Sequence, residues 1–251
     1  MIDLHAHILP GIDDGVATVE EAFELARRAA ADGVTAIAAT PHVRDDYPTT
    51  PEQMETGVRR LRQAFGEAGI AVDVLPGGEI ALERLGRLGK EELLRFSLAQ
   101  SGRYLLLEFP YTGWPLALER SLWSIQAAGL VPIIAHPERN REVQERPDRL
   151  APLAAAGTLV QITAASLDGR LGRSSQRTAR TLLEDGTAHL LASDAHGTRV
   201  REAGLADAAA AVEDDALARY LTVDTPAAIV AGEPLPARPV RRRRRRWAKF
   251  S

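Results

Sequence analysis

Several apolar runs of this chain end in side chains that can bind a metal, and each of these segments resembles the end of a buried strand. The histidines are His5 and His7 in Asp-Leu-His-Ala-His, His42 in Ala-Thr-Pro-His, His136 in Ile-Ile-Ala-His-Pro, and His196 in Ala-Ser-Asp-Ala-His. The carboxylates in the same setting are Glu79, Glu108 and Asp194. Nitrogen and oxygen ligands gathered at one place form a multinuclear metal site, and such a site turns water into a nucleophile. The pattern therefore predicts a metal-dependent hydrolase.

Each motif also has a structural interpretation. The i, i+2 spacing of His5 and His7 places both rings on one face of a strand, yet this spacing alone is weak evidence. Glu108 lies inside an apolar run, so its buried charge needs a partner, either a metal or an arginine. Glu79 follows two glycines, which allow close backbone approach, although a salt-bridged helix start has the same pattern. His189 lies within a strand and is interpreted as a structural or surface histidine outside the site.

The remaining ligands are open to simpler interpretations when each is taken alone. His42 by itself is typical of a loop histidine, and Asp194 could be a helix N-cap. Eight protein ligands exceed the capacity of one ion, which predicts two ions with bridging carboxylates or three that also bind solvent or substrate oxygens. The all-nitrogen-and-oxygen set suits manganese, zinc, iron or cobalt. Arg139 and Arg201 follow candidate ligands and could clamp phosphate oxygens, with a surface role as the alternative.

Composition narrows the class of protein. The 251 residues are 45% hydrophobic and 26% charged, which is typical of a globular chain. The sequence contains no cysteine, which excludes disulfides, thiolate nucleophiles and cysteine-type zinc sites and fits a reducing compartment. We see no signal peptide and no apolar run long enough for a membrane span. These observations predict a cytoplasmic protein.

Charge is distributed unevenly along the chain. Residues 238–251 carry 8 basic and no acidic side chains, whereas residues 1–237 carry 23 basic and 34 acidic ones, a net charge of −11. The C-terminal stretch holds three prolines and then the arginine run Arg241 to Arg246. We expect a metal-dependent domain over residues 1–231 and a disordered basic tail over residues 232–251. The tail could contact an anionic membrane surface or an acidic partner.

Strand-like and helical segments alternate along the chain. The expected strands are 2–7, 34–40, 70–75, 104–109, 131–135, 158–163 and 188–193. Thr18 and Thr50 are predicted to cap the first two helices, and a last helix is predicted within 203–220. Alternation of this kind predicts an α/β fold with a parallel sheet. Because ligands come from at least six strand ends, we expect a closed TIM-like barrel that carries the metal site at the C-terminal ends of its strands.

Several motifs, in this order, resemble the polymerase-and-histidinol-phosphatase (PHP) superfamily. They are Asp3-Leu-His-Ala-His-Ile-Leu-Pro-Gly-Ile-Asp-Asp-Gly15, Thr40-Pro-His42, Gly78-Glu79-Ile80, Glu108-Phe-Pro110, Ala135-His-Pro-Glu-Arg-Asn140 and Ser193-Asp-Ala-His196. Within that superfamily the chain is similar to the bacterial metal-dependent protein-tyrosine phosphatases of capsule and exopolysaccharide loci. The resemblance covers about residues 1–230.

This resemblance implies a distorted (β/α)7 barrel and a trinuclear centre, often of manganese. It implies that Arg139 and Arg201 hold phosphate, and that the metal ligands are His5, His7, His42, Glu79, Glu108, His136, Asp194 and His196. The implied substrate is phosphotyrosine in the tail of a cognate bacterial tyrosine kinase, whose dephosphorylation regulates capsule synthesis. A hydroxide bridging two metals would attack phosphorus in line.

Three other functions stay open at this point. On the same site the protein could be a small-metabolite phosphatase of the histidinol-phosphate type or a PHP-type phosphodiesterase acting on nucleic acid. The acidic body and the lack of an aromatic-rich basic surface argue against stable nucleic-acid binding. A metal-stabilised scaffold that docks a partner through the tail is the non-enzymatic alternative.

Overall fold

The computed structural model describes residues 1–197 and 204–239. Over these ranges the strands are β1 (Ile2–Ala6), β2 (Ala36–Ala39), β3 (His42–Val43), β4 (Asp73–Pro76), β5 (Glu79–Ala81), β6 (Tyr104–Glu108), β7 (Val131–Ala135), β8 (Leu159–Thr163) and β9 (Leu190–Ala192). The α-helices are α1 (Val19–Ala31), α2 (Pro51–Glu67), α3 (Lys90–Phe96), α4 (Leu118–Ala127), α5 (Arg141–Glu145), α6 (Ala151–Ala155), α7 (Ala164–Leu167), α8 (Arg173–Glu184), α9 (Leu205–Ala211), α10 (Asp215–Arg219) and α11 (Thr225–Ala231).

The first two long helices begin where their caps predict. The Thr18 side chain accepts a hydrogen bond from the backbone N–H of Glu21, and α1 ends just before Gly33, which has a φ of 82°. Thr50 and Gln53 form the complete reciprocal capping box of α2. Both predicted helix starts are confirmed, because short-range hydrogen bonds decide them.

All strand pairs within the two sheets are parallel. One sheet has the order β1-β2-β4 and the other the order β3-β5-β6-β7-β8-β9. Beyond the sheets, Ala6 bridges Ala195 in parallel, and the backbone N–H of His7 donates to the Ala195 carbonyl at 2.8 Å. The predicted α/β fold with parallel strands is confirmed. Between Ala6 and the segment after β9 the pairing is a single bridge, so the described residues do not form one continuous closed ladder.

Two short interruptions divide the pairing into two sheets, and the short strands β3 and β5 that follow them lie beyond the expected strands 34–40 and 70–75. β2 and β3 are separated by Thr40 and Pro41, and proline has no N–H with which to continue a ladder. β4 and β5 are separated by Gly77 and Gly78, and a Cβ at Gly78 would lie 2.6 Å from the ring of Phe96. The backbone therefore packs too closely here for any side chain.

The strands are buried on both faces, as parallel strands must be when other elements cover them. In β6, Leu105 and Leu107 join the larger apolar cluster with the helices. The alternate residues Tyr104 and Leu106 join a second cluster between the strands. The prediction of one helix within residues 203–220 is wrong, because this region holds two helices, α9 and α10. They are separate because Glu213 has a φ of 57° and Asp214 caps α10.

The segment 232–239 follows α11 and has no regular secondary structure. Hydrogen bonds hold it near the N-terminal ends of the strands. Tyr104, the first residue of β6, donates to the Glu233 carbonyl, and Arg238 donates to the Leu183 carbonyl at 3.0 Å and to that of Ala188. These contacts lie at the ends of the strands opposite to those that carry the candidate ligands. Among the described residues, no helix has the length and apolar character needed to cross a bilayer.

Candidate metal centre

The structure brings all eight predicted metal ligands together at the C-terminal ends of the strands. Their ligand atoms fall into four overlapping groups, within each of which the atoms lie within 4.8 Å of one another. The groups are His5, Glu79 and His136; His5, His7 and Asp194; His42, Glu79 and Glu108; and His7, Asp14, His42 and His196. Shared members make the four groups one cluster.

Glu79 lies at the centre of this cluster and is fully buried. Its Oε2 atom lies 2.9 Å from His42 Nδ1, 3.4 Å from His7 Nε2 and 3.5 Å from His5 Nε2. Its other oxygen, Oε1, lies 2.8 Å from His136 Nε2. Lone pairs at these separations repel each other unless protons or cations lie between them. One carboxylate among four histidines is therefore suited to bridging metal ions.

Asp194 is a second buried carboxylate in the cluster. Its Oδ1 atom lies 3.4 Å from His5 Nε2 and 3.5 Å from His196 Nδ1, and Oδ2 accepts a hydrogen bond from Arg139 at 2.7 Å. Asp194 and His136, which both follow strands, have positive φ angles of 52° and 37°. Left-handed backbone is strained for residues other than glycine and collects at functional sites. Here it turns both side chains into the cluster immediately after the strand.

Two supporting residues were not predicted as part of the site. His5 Nδ1 lies 3.0 Å from Gln161 Oε1, and His7 Nδ1 lies 2.7 Å from Asp13 Oδ2. The tautomers assigned from these contacts donate from Nδ1 and leave Nε2 as the acceptor that faces the cluster. Partners of this kind orient metal-binding histidines in proteins. The acids that end the loop after His7 were the available signal for Asp13.

Asp14 was also missed, although it belongs to one of the four groups. Its Oδ1 atom lies 3.3 Å from His42 Nε2 and 3.4 Å from His196 Nε2. The loop reaches this position because it folds back on β1, where a Cβ on Gly15 would lie 2.2 Å from the carbonyl oxygen of His7. Only glycine permits this approach.

Electrostatics show that the cluster favours positive charge. Burial lowers the pKa of His42, but the carboxylates of Asp14 and Glu79 outweigh it and raise this pKa to about 9. Burial raises the pKa of Glu79, but His5, His136 and His42 outweigh it and hold the value well below the usual range. The His42 Nδ1 and Glu79 Oε2 atoms are buried, and among the described residues neither of them has a hydrogen-bond partner. Divalent cations fit this donor set, since they satisfy buried acceptors that nothing else in the described protein satisfies.

Glu108 lies at the edge of the cluster, beside His42 and the arginine partner that was expected as an alternative to a metal. Its Oε2 atom is 3.7 Å from His42 Nδ1, and its Oε1 atom accepts a hydrogen bond from Arg44 at 2.9 Å. Burial, together with the nearby charge of Glu79, raises the pKa of Glu108 despite His42 and Arg44. The arginine partner therefore accompanies the metal-binding geometry and does not replace it.

The two predicted phosphate-binding arginines have different outcomes. Arg139 lies at the cluster, where it contacts Asp194 and its guanidinium carbon lies 4.5 Å from the ring centre of Tyr111. The Tyr111 ring in turn stacks on His136 at 5.9 Å. Arg201 falls outside the described residues. His189 lies at the opposite end of its strand, where its Nδ1 accepts from the Val160 backbone N–H, in keeping with the structural role expected for it.

A family model described as capsular polysaccharide synthesis, CpsB/CapC, matches residues 1–230. This chain belongs to the CpsB/CapC family. The chain is 37% identical over 204 residues to the tyrosine-protein phosphatase YwqE of Bacillus subtilis, which covers 80% of this chain and 79% of YwqE. It is 28% identical over 215 residues to the tyrosine-protein phosphatase CpsB of Streptococcus agalactiae, which covers 83% of this chain and 88% of that protein.

Structural comparison gives the same family. The fold matches a crystal structure from work on YwqE of Bacillus subtilis and CpsB of Streptococcus pneumoniae, described there as unique metal-dependent tyrosine phosphatases. The TM-score is 0.85 at 32% identity, over 96% of this chain and 100% of that one. The family resemblance drawn from the sequence motifs is confirmed.

Proposed function

We propose that this protein is a metal-dependent tyrosine-protein phosphatase that acts in capsular polysaccharide synthesis. The observation that carries the proposal is the buried cluster of histidines and carboxylates, in which Glu79 contacts four histidine nitrogens and its Oε2 atom has no hydrogen bond within the described part of the chain. Family membership and the names of the relatives support the same activity. The proposed substrate is phosphotyrosine in a bacterial tyrosine kinase.

The site residues would hold two or three divalent ions, and we propose manganese. The proposed ligands are the eight residues predicted from the sequence, with Asp14 as an addition on the outer side. Histidine and carboxylate ligands suit manganese, zinc, iron and cobalt alike, so the choice of manganese rests on the family resemblance. Such ions supply an activated water at neutral pH and neutralise phosphoryl oxygens.

The protein's own groups would position the phosphate and the leaving group. Arg139 is partly exposed beside Asp194, so its remaining N–H groups can donate to phosphoryl oxygens and stabilise the charge that spreads over them. Arg201 is proposed for the same role. The leaving phenolate has a conjugate acid with a pKa of about 10, so it departs with little help from a general acid.

Membership in the CpsB/CapC family favours this activity over the other phosphatase and phosphodiesterase alternatives. A histidinol-phosphate phosphatase or a nucleic-acid phosphodiesterase would use the same metal chemistry on a different leaving group. Turnover of a phosphotyrosine peptide compared with that of histidinol phosphate separates the possibilities.

The proposed activity is tested by chelation and reconstitution. We expect exhaustive EDTA treatment to abolish hydrolysis of p-nitrophenyl phosphate, added Mn²⁺ to restore it, and iodoacetamide to have no effect because the chain has no cysteine. His5→Ala should lose both bound metal and activity. His189→Gln is the matched control, because this partly buried histidine lies outside the cluster. Full activity in metal-free protein would refute the proposal.

We also propose that residues 1–231 form the catalytic domain and that its two sheets together form one distorted seven-strand barrel. β2 and β3, like β4 and β5, are successive parts of one strand path. The bridge between Ala6 and Ala195, with the 2.8 Å hydrogen bond from the Asp194 N–H to the His5 carbonyl, supports closure. Experimental coordinates in which these segments separate would contradict it.

For the basic tail we propose contact with an anionic membrane surface. Tyr104 and Arg238 hold the described segment 232–239 opposite the metal centre, and the arginine run follows this segment in the sequence. Each basic residue near such a surface contributes about 1 kcal/mol. Salt-sensitive binding to phosphatidylserine vesicles that is lost when residues 240–251 are deleted would support this contact, and unchanged binding would refute it.

A further inference from the structure

A cleft of about 840 Å³ opens beside the candidate metal centre. Glu108 and Arg44 form one end of it, and the cleft extends between two loops that contribute Leu82, Pro110 and Leu116. Because Glu108 also belongs to one of the metal-binding groups, the cleft is continuous with the proposed site. The cleft therefore offers a path for the polypeptide on either side of a phosphotyrosine that enters the site.

The rim of the cleft exposes apolar surface that no described part of the chain covers. Leu116 is fully exposed although it lies on the loop just before α4. Pro110 and Pro115 line the same cleft, with small residues such as Ala117 and Ser121 beside them. Contiguous apolar surface next to a functional site is typical of a binding groove.

The charges of the cleft limit what it can bind. Of the described residues that line it, Arg44 is the one cation, and Asp46, Glu83 and Glu108 are the carboxylates. Arg44 is already paired with Asp46 at 2.8 Å and with Glu108 at 2.9 Å. With Glu108 assigned to the metal ions, Asp46 and Glu83 still outnumber Arg44, and this net negative charge repels acidic segments and tolerates neutral or basic ones.

We propose that this cleft binds the polypeptide that flanks the phosphotyrosine, with an apolar side chain packed against Leu116, and that it selects against acidic flanking residues. The inference rests on the proposed phosphatase activity and assigns its sequence preference. It makes Leu116 a specificity residue for protein substrates. The residue has no role with a small aryl phosphate, which has no flanking chain.

The experiment compares three substrates on the Mn²⁺-loaded full-length protein. They are p-nitrophenyl phosphate and two phosphotyrosine peptides that differ only in having leucine or aspartate on either side of the phosphotyrosine. We expect the leucine peptide to exceed the aspartate peptide about tenfold in kcat/KM. Leu116→Ala should lower kcat/KM for the leucine peptide about fivefold, mainly through KM, since the leucine side chain loses its apolar partner.

Two further variants isolate the cleft. Ser121→Phe should fill it and lower peptide turnover, again without affecting p-nitrophenyl phosphate. Trp123→Ala is the matched control, because this tryptophan is 66% exposed on α4 but does not line the cleft. All of these variants should keep wild-type activity on p-nitrophenyl phosphate.

Equal effects of Leu116→Ala on the peptides and on p-nitrophenyl phosphate would overturn the assignment, as would no effect on either. A Leu116→Asp variant that dissociates a dimer while the peptide preference stays unchanged would also overturn it and assign the surface to a second copy. Inactivity of the wild-type protein on all three substrates would instead refute the phosphatase activity itself.

Discussion

Replacement of Asp13 by alanine tests whether the candidate metal centre depends on the carboxylate that orients its histidines. Asp13 accepts hydrogen bonds from His7 Nδ1 at 2.7 Å, from the backbone N–H of His42 at 3.0 Å and from that of Gly15 at 3.0 Å. It thereby fixes the ring of one candidate ligand and the backbone of another. In Asp13→Ala, the His7 ring loses the partner that selects its tautomer.

The expected cost follows from those contacts. Removing the residue that hydrogen-bonds to the second ring nitrogen of a metal-binding histidine lowers metal affinity about 10-fold to 100-fold, which corresponds to roughly 1.4–2.8 kcal/mol. Asp13 supports two candidate ligands, so we expect a value in the upper half of this range. Asp13→Asn should lower the metal affinity less than Asp13→Ala does, because the amide oxygen can still accept a hydrogen bond although it carries no charge.

The assay is competition for Mn²⁺ between metal-free protein and a chelator of known affinity, combined with activity measured against Mn²⁺ concentration. We expect Asp13→Ala to need more Mn²⁺ for half-maximal activity but to approach wild-type turnover at saturation. Asp45→Ala is the control, because the partners of that exposed carboxylate among residues 1–197 and 204–239 are Arg84 and Arg87, outside the metal centre. An unchanged Mn²⁺ affinity in Asp13→Ala would refute the role given to this carboxylate.

Three further variants test other parts of the structure. Gly15→Ala should lower the free energy of unfolding in urea by about 2–3 kcal/mol, because the new Cβ would lie 2.2 Å from the His7 carbonyl oxygen. A decrease of less than about 0.5 kcal/mol, which is typical of surface substitutions, would contradict the close approach. Arg139→Lys should lower kcat/KM for p-nitrophenyl phosphate about 100-fold, since lysine lacks the planar guanidinium that can donate to both Asp194 and phosphate. An unchanged kcat/KM would exclude a phosphate-binding role for Arg139. Burial, followed by the charge of Arg238, lowers the pKa of His189 from 6.5 to about 4, so the folded protein resists its protonation. Stability attributable to neutral His189 is complete above pH 6.5 and is lost as the pH falls toward 4. Wild type should therefore lose about 2–3 kcal/mol more than His189→Asn between pH 7 and pH 4.5 in urea unfolding, and parallel losses would contradict this.

Local signals in the sequence were sufficient where short-range interactions decide the structure. The capping residues Thr18 and Thr50 predicted the starts of α1 and α2, and the apolar run Val131–Ala135 predicted β7 with its observed bounds. Strand ends were less accurate, as in the predicted strand 188–193, of which only Leu190–Ala192 is paired. Pairing depends on neighbouring strands, which a single segment of sequence does not describe.

The residues that contact and orient the candidate metal ligands could not be predicted from the sequence, for the same reason. Asp13 and Asp14 contact histidines because the loop folds back over Gly15, and Gln161 meets His5 across 156 positions of sequence. Arg44 and Asp46, which line the cleft together with Glu108, follow His42 in a loop to which the sequence pattern assigned no role. None of these partners follows from spacing along the chain.

The sequence by itself determined which side chains end the buried runs of this protein, and with them the metal-binding chemistry and the family. It could do so because parallel strands in a covered sheet bring their C-terminal ends to one side, whatever the details of the loops. Only the tertiary structure decided which carboxylate lies at the centre, which nitrogen of each histidine faces it, and where apolar surface stays open beside it. Those properties depend on contacts between distant segments, and the close packing of the folded chain sets their distances.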